Sequence, residues 1–276
     1  MKTIVVATDL TPNSNKAAHF AARLARDHGA KLILVNSYRY WPSNPAEEVG
    51  DYLLSLEEMR DNHQLELDKL ANLIRKEYGA GIVVEALTEE GYVIPTLQEV
   101  TKAQKADLLV MSPVGSAPHG AQIMGSVATE MVTQTNVPLL IVPPSQEYGP
   151  FKNAVLGIDL DLPPNAFVFD QVLRFAQNFG CVVNVISIHD RPEEPTIKKR
   201  AEHIRHLLAT VPHTFTLQKG NEIYETLMEF SGSTKADLMM MIPQDHSWFW
   251  RIFNEGETER MARLTDLPLL VIVQEA

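Results

Sequence analysis

Short apolar runs of strand length alternate with helical patterns from the start of the chain. The runs "KTIVVATD" (residues 2–9) and "KLILVNSY" (31–38) have the length and composition of buried strands. Between them, apolar residues recur at spacings of three and four and predict a helix, at Ala17, Phe20, Ala21, Leu24 and Ala25. Buried strands separated by helices predict a parallel sheet of the doubly wound α/β class.

The alternation continues to residue 142. A long helix is predicted where apolar positions recur every three or four residues, at Leu56, Met59, His63, Leu67, Leu70 and Ile74. The run "AGIVVEAL" (80–87) predicts a third strand, and a helix is expected from about Tyr92 to Gln104. "ADLLVM" (106–111) and "VPLLIV" (137–142) predict the last two strands, with a helix between them that carries Ile123, Val127 and Met131.

The same pattern then occurs a second time. "NAVLGIDL" (153–160) repeats the first strand and places Asp159 where the first copy has Asp9, and "ADLMMM" (236–241) repeats "ADLLVM" 130 positions later. The turn-rich segment "PPSQEYGP" (143–150) separates the copies. Self-similarity over this length indicates duplication of a five-stranded unit. We therefore predict two tandem α/β domains, residues 1–145 and 150–276, each a parallel sheet between helices with strand order 3-2-1-4-5.

The composition and charge of the chain argue against some classes of function. A formal net charge of −11 argues against a binder of nucleic acid, which needs a basic stripe, and against attachment to anionic membranes. A small nucleotide is compatible with this charge, because backbone N–H groups bind phosphate without basic side chains. The single cysteine, Cys181, lies in an apolar run and is expected in the core. Neither a signal-peptide pattern nor an apolar run of membrane-spanning length is present, so we expect a cytoplasmic protein.

Two polar stretches are predicted to meet at one place in the first domain. In an open parallel sheet of this order, ligands bind beyond the carboxyl ends of strands 1 and 4, where the strand order reverses. Strand 1 ends at Asp9, and strand 4 leads into Ser112–Gly115. Asp9 is suited either to capping the helix that begins near Pro12 or to contacting a ligand. Gly125-Ser126 is suited to an N-cap, and a helix start with free N–H groups is also an anion site.

Three stretches carry a family resemblance: "VVATDLTPNSNKAAHFAARLA" (5–25), "ADLLVMSPVG" (106–115) and "MGSVATEMVTQTNVPLLIVP" (124–143). Through them the whole chain resembles the universal stress protein family, in the tandem form with two such domains in one polypeptide. The resemblance implies the Rossmann-like fold of the adenine nucleotide α-hydrolases. Nucleotide-binding members carry Gly-x-x-Gly, nine residues, and then Gly-Ser or Gly-Thr. Here the pattern falls on Ser112 to Gly115 and on Gly125-Ser126, with Ser112 in place of the first glycine.

The resemblance implies an ATP site in the first domain, with Mg²⁺ as an accompanying ion. The predicted nucleotide-binding residues are Ala7, Thr8, Asp9, Ser37, Ser112, Gly115, Gly125, Ser126 and Val127. The first three would border the adenine and ribose, Ser37 would contact the base through its backbone, and the residues from Gly115 onward would hold the phosphates. Ser112 and Pro113 depart from the pattern, since one adds a side chain near the ligand and the other lacks an N–H.

The second half departs further from the motif. At the offset of 130 positions, Gly115 corresponds to Asp245 and Gly125 to Glu255, so two carboxylates stand where phosphates would lie. We expect no nucleotide in this half. An aromatic cluster around Trp248 indicates either packing within the domain or contact with a protein partner, because Trp is favoured at interface hot spots.

Three functions are compatible with these features. The first is a stress-response or regulatory protein that binds ATP or a related adenine nucleotide in its first domain and acts through a ligand-dependent conformation or choice of partner. The alternative is a nucleotide-free protein-interaction scaffold of the same fold. An enzyme is favoured least, because the loop from 112 to 126 contains no Lys or Arg and the Walker motif is absent, although slow ATP hydrolysis stays open. Pairing of whole chains into a homodimer is compatible with the first two functions.

Overall fold

The computed structural model describes residues 1–39, 49–115, 124–243 and 267–273. Internal contacts divide the chain into two units, one made mainly of Met1–His119 and Gly125–Val137 and the other mainly of Pro138–Ala276. The domain limits 1–145 and 150–276 stay a prediction, because these units are defined by contacts and a domain by independent folding. Within the described residues, every helix is too short or too polar to cross a membrane.

The first half alternates strands and helices as predicted. Its strands are β1 (Thr3–Ala7), β2 (Lys31–Tyr38), β3 (Val83–Glu90), β4 (Leu108–Met111) and β5 (Leu139–Ile141). Its helices are α1 (Pro12–His28), α2 (Val49–Tyr78), α3 (Val93–Ala103) and α4 (Ser126–Gln134). The strand order is β3-β2-β1-β4-β5, which confirms the predicted order, and β1 pairs in parallel with both β2 and β4. Of the residues predicted on α4, Ile123 lies outside the described residues.

The second half repeats this order. Its strands are β6 (Asn153–Gly157), β7 (Val182–His189), β8 (His213–Lys219), β9 (Leu238–Met241) and β10 (Leu269–Val271). The described helices are α5 (Ala166–Phe179), α6 (Pro195–Leu207) and α7 (Ile223–Ser233). The strands lie in the order β10-β9-β6-β7-β8 and pair in parallel.

One strand pair differs from the predicted parallel arrangement. β5 belongs by its contacts to the second unit, where it pairs antiparallel with β10 and places Leu140 opposite Leu270. All described residues of both strands are buried. An apolar run is buried equally well in either direction, so the hydrophobic pattern alone could not predict this pairing.

Helix α1 shows how local sequence sets the ends of an element. Thr11 is its N-cap and accepts a long hydrogen bond, 3.4 Å, from the N–H of Ser14, while Pro12 takes the first helical position. Gly29 ends the helix in the left-handed conformation with φ of 62°. The apolar face is buried as predicted, at Ala17, Phe20, Ala21, Leu24 and Ala25. Burial of one Phe or Leu side chain contributes about 1.5–3 kcal/mol, so this face holds α1 against the sheet.

Hydrogen bonds at strand ends and glycines at helix ends recur at equivalent positions in both halves. Asp107, just before β4, accepts hydrogen bonds at 2.5 and 2.9 Å from two backbone N–H groups at the start of β1. Asp237, just before β9, accepts the equivalent bonds at 2.8 and 3.0 Å from the start of β6. Gly180 ends α5 as Gly29 ends α1, with φ of 67° and 62°. The duplication seen in the sequence therefore extends to the details that align and terminate the elements.

Candidate functional site

A cavity of about 390 Å³ lies beyond the carboxyl ends of β1 and β4, at the point where the strand order reverses. All of its lining residues belong to the first unit. The cavity brings together every predicted site residue: Ala7, Thr8, Asp9, Ser37, Ser112, Gly115, Gly125, Ser126 and Val127. The predicted convergence of the β1 and β4 ends is therefore present, whereas the binding role of these residues stays a prediction.

Asp9 uses its two carboxylate oxygens differently. Oδ1 accepts hydrogen bonds from the N–H and the Oγ1–H of Thr11, at 3.1 and 2.6 Å. Oδ2 lies against Gly115, because a Cβ added to that glycine would stand 2.3 Å from it. Asp9 thus supports the capping residue of α1 through one oxygen and lines the cavity through the other. The alternatives of cap and ligand contact are compatible with each other.

A hydroxyl network fixes the loop between β1 and α1. Leu10 has φ of 63°, a left-handed conformation that costs a residue with a side chain about 1–2 kcal/mol. Thr8 Oγ1 accepts a hydrogen bond from the Leu10 N–H at 3.0 Å and shares another with Ser14 Oγ at 3.0 Å. Thr8 and Ser14 are both buried, so these bonds lie where water does not compete strongly. The network holds the Leu10 conformation and with it the position of Asp9.

The serine that replaces the first motif glycine is satisfied within its own loop. Ser112 is buried, and its Oγ–H donates to the carbonyl of Val114 at 2.9 Å. The same oxygen accepts a longer bond, 3.4 Å, from the N–H of Val114. The hydroxyl is therefore used to close the turn around Pro113, a local side-chain to backbone arrangement that serine favours.

Gly125 joins the loop to helix α4. Its N–H donates to the carbonyl of Pro113 at 2.7 Å, and it forms the N-cap of α4 with no side-chain capping bond. The first intrahelical bond runs from the N–H of Thr129 to the carbonyl of Gly125. The N–H groups of residues 126–128 consequently lack an intrahelical acceptor, as in the first turn of any helix. Since residues 126–128 line the cavity, the positive end of the α4 dipole faces it.

The other side of the cavity is apolar. Val35 from β2 and Val93 and Leu97 from α3 form this wall. Ser37, two residues after Val35 on β2, donates its Oγ–H to the carbonyl of Gly91 at 2.9 Å and so ties β2 to the turn before α3. Such a wall suits a planar apolar or aromatic group.

Sequence reasoning missed about half of the lining. The further lining residues are Ser14, Val35, Val93, Leu97, Met111, Pro113, Val114 and Ala128. The two-residue period of a strand could have identified Val35, because it shares a face of β2 with Ser37. Val93 and Leu97 lie four residues apart on one face of α3. They could not be predicted as lining residues, because the sequence alone does not show which face of the sheet this helix covers.

Among the residues that the structure describes, Asp9 is the one charged side chain that lines the cavity. Within the described ranges, no group of three His, Cys, Asp or Glu side chains is placed to hold a metal ion. The cavity therefore presents backbone donors, hydroxyls, one carboxylate and an apolar wall. This set can bind and orient a polar ligand.

In the second unit, the equivalent positions are only partly described. Ile242, the counterpart of Ser112, is buried. Asp159, the counterpart of Asp9, accepts a hydrogen bond at 2.9 Å from the N–H of Asp161. Four features named from the sequence lie outside the described residues, namely Asp245, Glu255, the cluster around Trp248 and the loop residues 116–123 of the first half.

This fold and the position of the cavity define an α/β protein with a cavity at the switch point of a parallel sheet, where proteins of this class bind their ligands. The model of the universal stress protein family matches residues 1–143, and the chain belongs to the universal stress protein family. The resemblance seen in the sequence is thereby confirmed.

Individual relatives agree with this assignment. A universal stress protein of Methanocaldococcus jannaschii is 31% identical over 143 residues, which cover 51% of this chain and 81% of that protein. One from Thermus aquaticus is 28% identical over 142 residues, covering 51% of this chain and 98% of that protein. The crystal structure of a universal stress protein from Archaeoglobus fulgidus has a TM-score of 0.70 at 13% identity, covering 99% of this chain and 96% of that one. This last similarity supports the same fold across both halves.

Proposed function

We propose that the first unit binds an adenine nucleotide, ATP or a relative of it, and that the protein is a stress-response or regulatory protein whose conformation or choice of partner depends on that ligand. One observation carries the proposal: four separate segments of the chain bring all nine predicted site residues to one cavity at the switch point. A cavity of about 390 Å³ lies within the range usual for small-ligand sites.

The two ends of the cavity suit the two ends of a nucleotide. The apolar wall of Val35, Val93 and Leu97 would take the base, and Ser37 lies beside this wall. The open N–H groups at the start of α4 would take the phosphate, because a helix N-terminus offers both hydrogen-bond donors and a positive dipole end. Asp9 would then face the part of the ligand that lies next to Gly115.

The proposed role is binding rather than turnover. Among the described residues that line the cavity there is no Lys, Arg, His or Cys, so this part of the lining offers no cation for a transferring phosphoryl group and no side-chain nucleophile of the thiol or imidazole type. If Mg²⁺ accompanies ATP, Asp9 is the one carboxylate among the described lining residues, and most of the remaining ligands would be phosphate oxygens and water. The proposal includes the cytoplasm as the place of action and a homodimer as a further assembly, both on the basis of the family.

The test is to identify what the purified protein carries. Denaturation followed by chromatography and mass spectrometry should release about one adenine nucleotide per chain. Val127→Glu should abolish this, because it places a carboxylate in the cavity while an acidic residue is tolerated in the first turn of a helix. Thr133→Glu is the matched control, since it adds the same charge at an exposed position of α4 outside the cavity.

Two results would overturn the proposal when they occur together. The first is that the protein carries no nucleotide. The second is that calorimetry detects no binding of adenosine, AMP or ATP to the folded protein. In that case the interaction scaffold would be the better supported function.

A further inference from the structure

Successive residues of β2 point to opposite faces of the sheet at the place where the cavity lies. Val35 and Ser37 line the cavity. Asn36 and Tyr38 are buried on the opposite face, where both contact His63 of helix α2. His63 itself is not among the described residues that line the cavity. It lies on the far side of the sheet, against the two β2 residues that alternate with the cavity lining.

The contact with Asn36 leads to the loop after β1. The parallel register of β1 with β2 ends one residue before Thr8, and the carbonyl of Thr8 accepts a hydrogen bond from the Asn36 Nδ2–H at 2.8 Å. The amide oxygen of Asn36 can only accept, so the His63 Nδ1–H donates to it at 2.7 Å. These two bonds fix the orientation of the buried amide and, through it, the position of Thr8. The hydroxyl of Thr8 in turn accepts a bond from the Leu10 N–H at 3.0 Å.

The contact with Tyr38 leads to the apolar side of the cavity. The rings of His63 and Tyr38 are stacked, with centroids 5.1 Å apart and 18° between their planes. The carbonyl of Tyr38 accepts a hydrogen bond from the N–H of Gly91 at 2.9 Å. Gly91 lies in the turn before α3, whose first residue, Val93, forms part of the apolar wall. His63 is thereby joined to both sides of the cavity by contacts that run through β2.

We propose that His63 is a positioning residue for the cavity: through Asn36 and Tyr38 it sets the separation between the loop after β1 and the start of α3, and so couples helix α2 to ligand affinity. The inference rests on the proposed function and adds a means of regulation to that same site. Loss of the imidazole removes a donor from the buried Asn36 Oδ1, so the amide turns and its bond to Thr8 weakens. Any event that shifts α2 relative to the sheet would change ligand affinity through the same contacts.

Amide hydrogen exchange on the ligand-free protein tests the two routes separately. His63→Leu should speed exchange of the Leu10 and Gly91 N–H groups about tenfold, because each group lies at the end of one route. His63→Asn should restore Leu10 alone, since its amide N–H can replace the Nδ1–H donor. His63→Phe should restore Gly91 alone, since its ring can stack on Tyr38. A purely structural role of His63 would instead make both amides follow the overall stability of each variant.

Calorimetry with ATP and with AMP measures the effect on the site. His63→Leu should lower the affinity for the nucleotide that the wild-type protein binds by about tenfold. Ile74→Val is the matched control, because it removes one methyl group from another buried position of α2, and it should leave both amides and the affinity near their wild-type values. Nucleotide affinity that stays unchanged in His63→Leu, or that falls equally in Ile74→Val, would overturn the inference and leave the proposed function in place. A wild-type protein that binds neither nucleotide would remove the proposed function, and the inference with it.

Discussion

Asp9 and Gly115 come from two different strand ends and touch: the site of a Cβ on Gly115 lies 2.3 Å from Asp9 Oδ2. The absence of a side chain at Gly115 is what allows the carboxylate to occupy its position. The contact joins the loop after β1 to the loop after β4, the two segments that flank the switch point of the sheet. It makes the position of Asp9 sensitive to a single methyl group.

Gly115→Ala should weaken nucleotide binding while leaving the fold intact. The added methyl group forces Asp9 Oδ2 to move, and a carboxylate at the end of a flexible side chain moves at little cost. We expect a loss of stability of about 1 kcal/mol or less and a change in nucleotide affinity of about tenfold. Thermal unfolding and calorimetry measure the two effects. Gly149→Ala is the control, because a Cβ there meets nothing within 4 Å. Equal effects of the two variants on binding would contradict a role for the Asp9–Gly115 contact.

Thr11→Ala should affect both stability and the site. It removes the N-cap of α1, which costs about 0.5–2 kcal/mol, and it removes one hydrogen bond to Asp9 Oδ1. Asn165→Ala removes the N-cap of α5, whose side chain accepts a bond from the N–H of Val168 at 3.0 Å. The two variants should lower the unfolding midpoint to a similar degree, and Thr11→Ala alone should change nucleotide affinity. Thr11→Ser should restore both properties.

Ser187→Ala should stabilise the protein. Ser187 is completely buried on β7, and its hydroxyl finds no hydrogen-bond partner in the part of the chain that the structure describes. Removal of an unsatisfied buried hydroxyl should raise the free energy of unfolding by about 1 kcal/mol, as measured by urea denaturation. A decrease in stability would indicate that the hydroxyl has a partner.

Asn36 on β2 occupies the position that corresponds to Ser187 on β7, and its substitution should have the opposite effect on stability. Asn36 donates to the carbonyl of Thr8 at 2.8 Å, and its Oδ1 lies 2.7 Å from His63 Nδ1. Because Oδ1 can only accept, the proton lies on His63 Nδ1. Asn36→Ala should therefore cost about 1–3 kcal/mol, since it leaves these groups without a partner.

Cys181 should be inert at neutral pH. Burial raises the pKa of its thiol from its ordinary value of 9.0 to about 11. The unfolded chain therefore loses this proton first as the pH rises, and the contribution to stability is complete below about pH 9 and declines between about pH 9 and pH 11. Labelling by a thiol reagent at pH 8 should occur only in the denatured protein. Cys181→Ala should show a smaller loss of stability over the same pH window, and rapid labelling of the native protein would contradict the assignment.

Local chemistry explains why the elements could be predicted. Thr11 and Gly29 mark the two ends of α1 through bonds made within a few residues, and β2 and β7 agree with the predicted runs because both faces of each strand are buried. The site residues after β1 and β4 could be predicted for a similar reason, since strand ends in a parallel sheet share one edge.

Features that depend on tertiary arrangement could not be predicted. An apolar run does not indicate whether its strand pairs parallel or antiparallel, so the antiparallel pairing of β5 with β10 could not be predicted. Whether Val93 and Leu97 line the cavity depends on which face of the sheet α3 covers. The hydrogen bond from the Ser112 hydroxyl to the carbonyl of Val114 depends on the conformation of its loop. The Asp9–Gly115 contact joins residues more than a hundred positions apart, a relationship that no local pattern encodes.

The helix ends and strand-end hydrogen bonds that recur in the two halves contrast with the glycines of the phosphate motif. Gly29 and Gly180 end equivalent helices, and Asp107 and Asp237 hold equivalent strand ends, whereas the glycines at 115 and 125 have Asp245 and Glu255 as counterparts. The features that align and terminate the elements are thus present in both copies, whereas the motif glycines are present in the first copy and replaced in the second. A substitution in the second copy can therefore change the surface of the protein without replacing any described residue that lines the cavity.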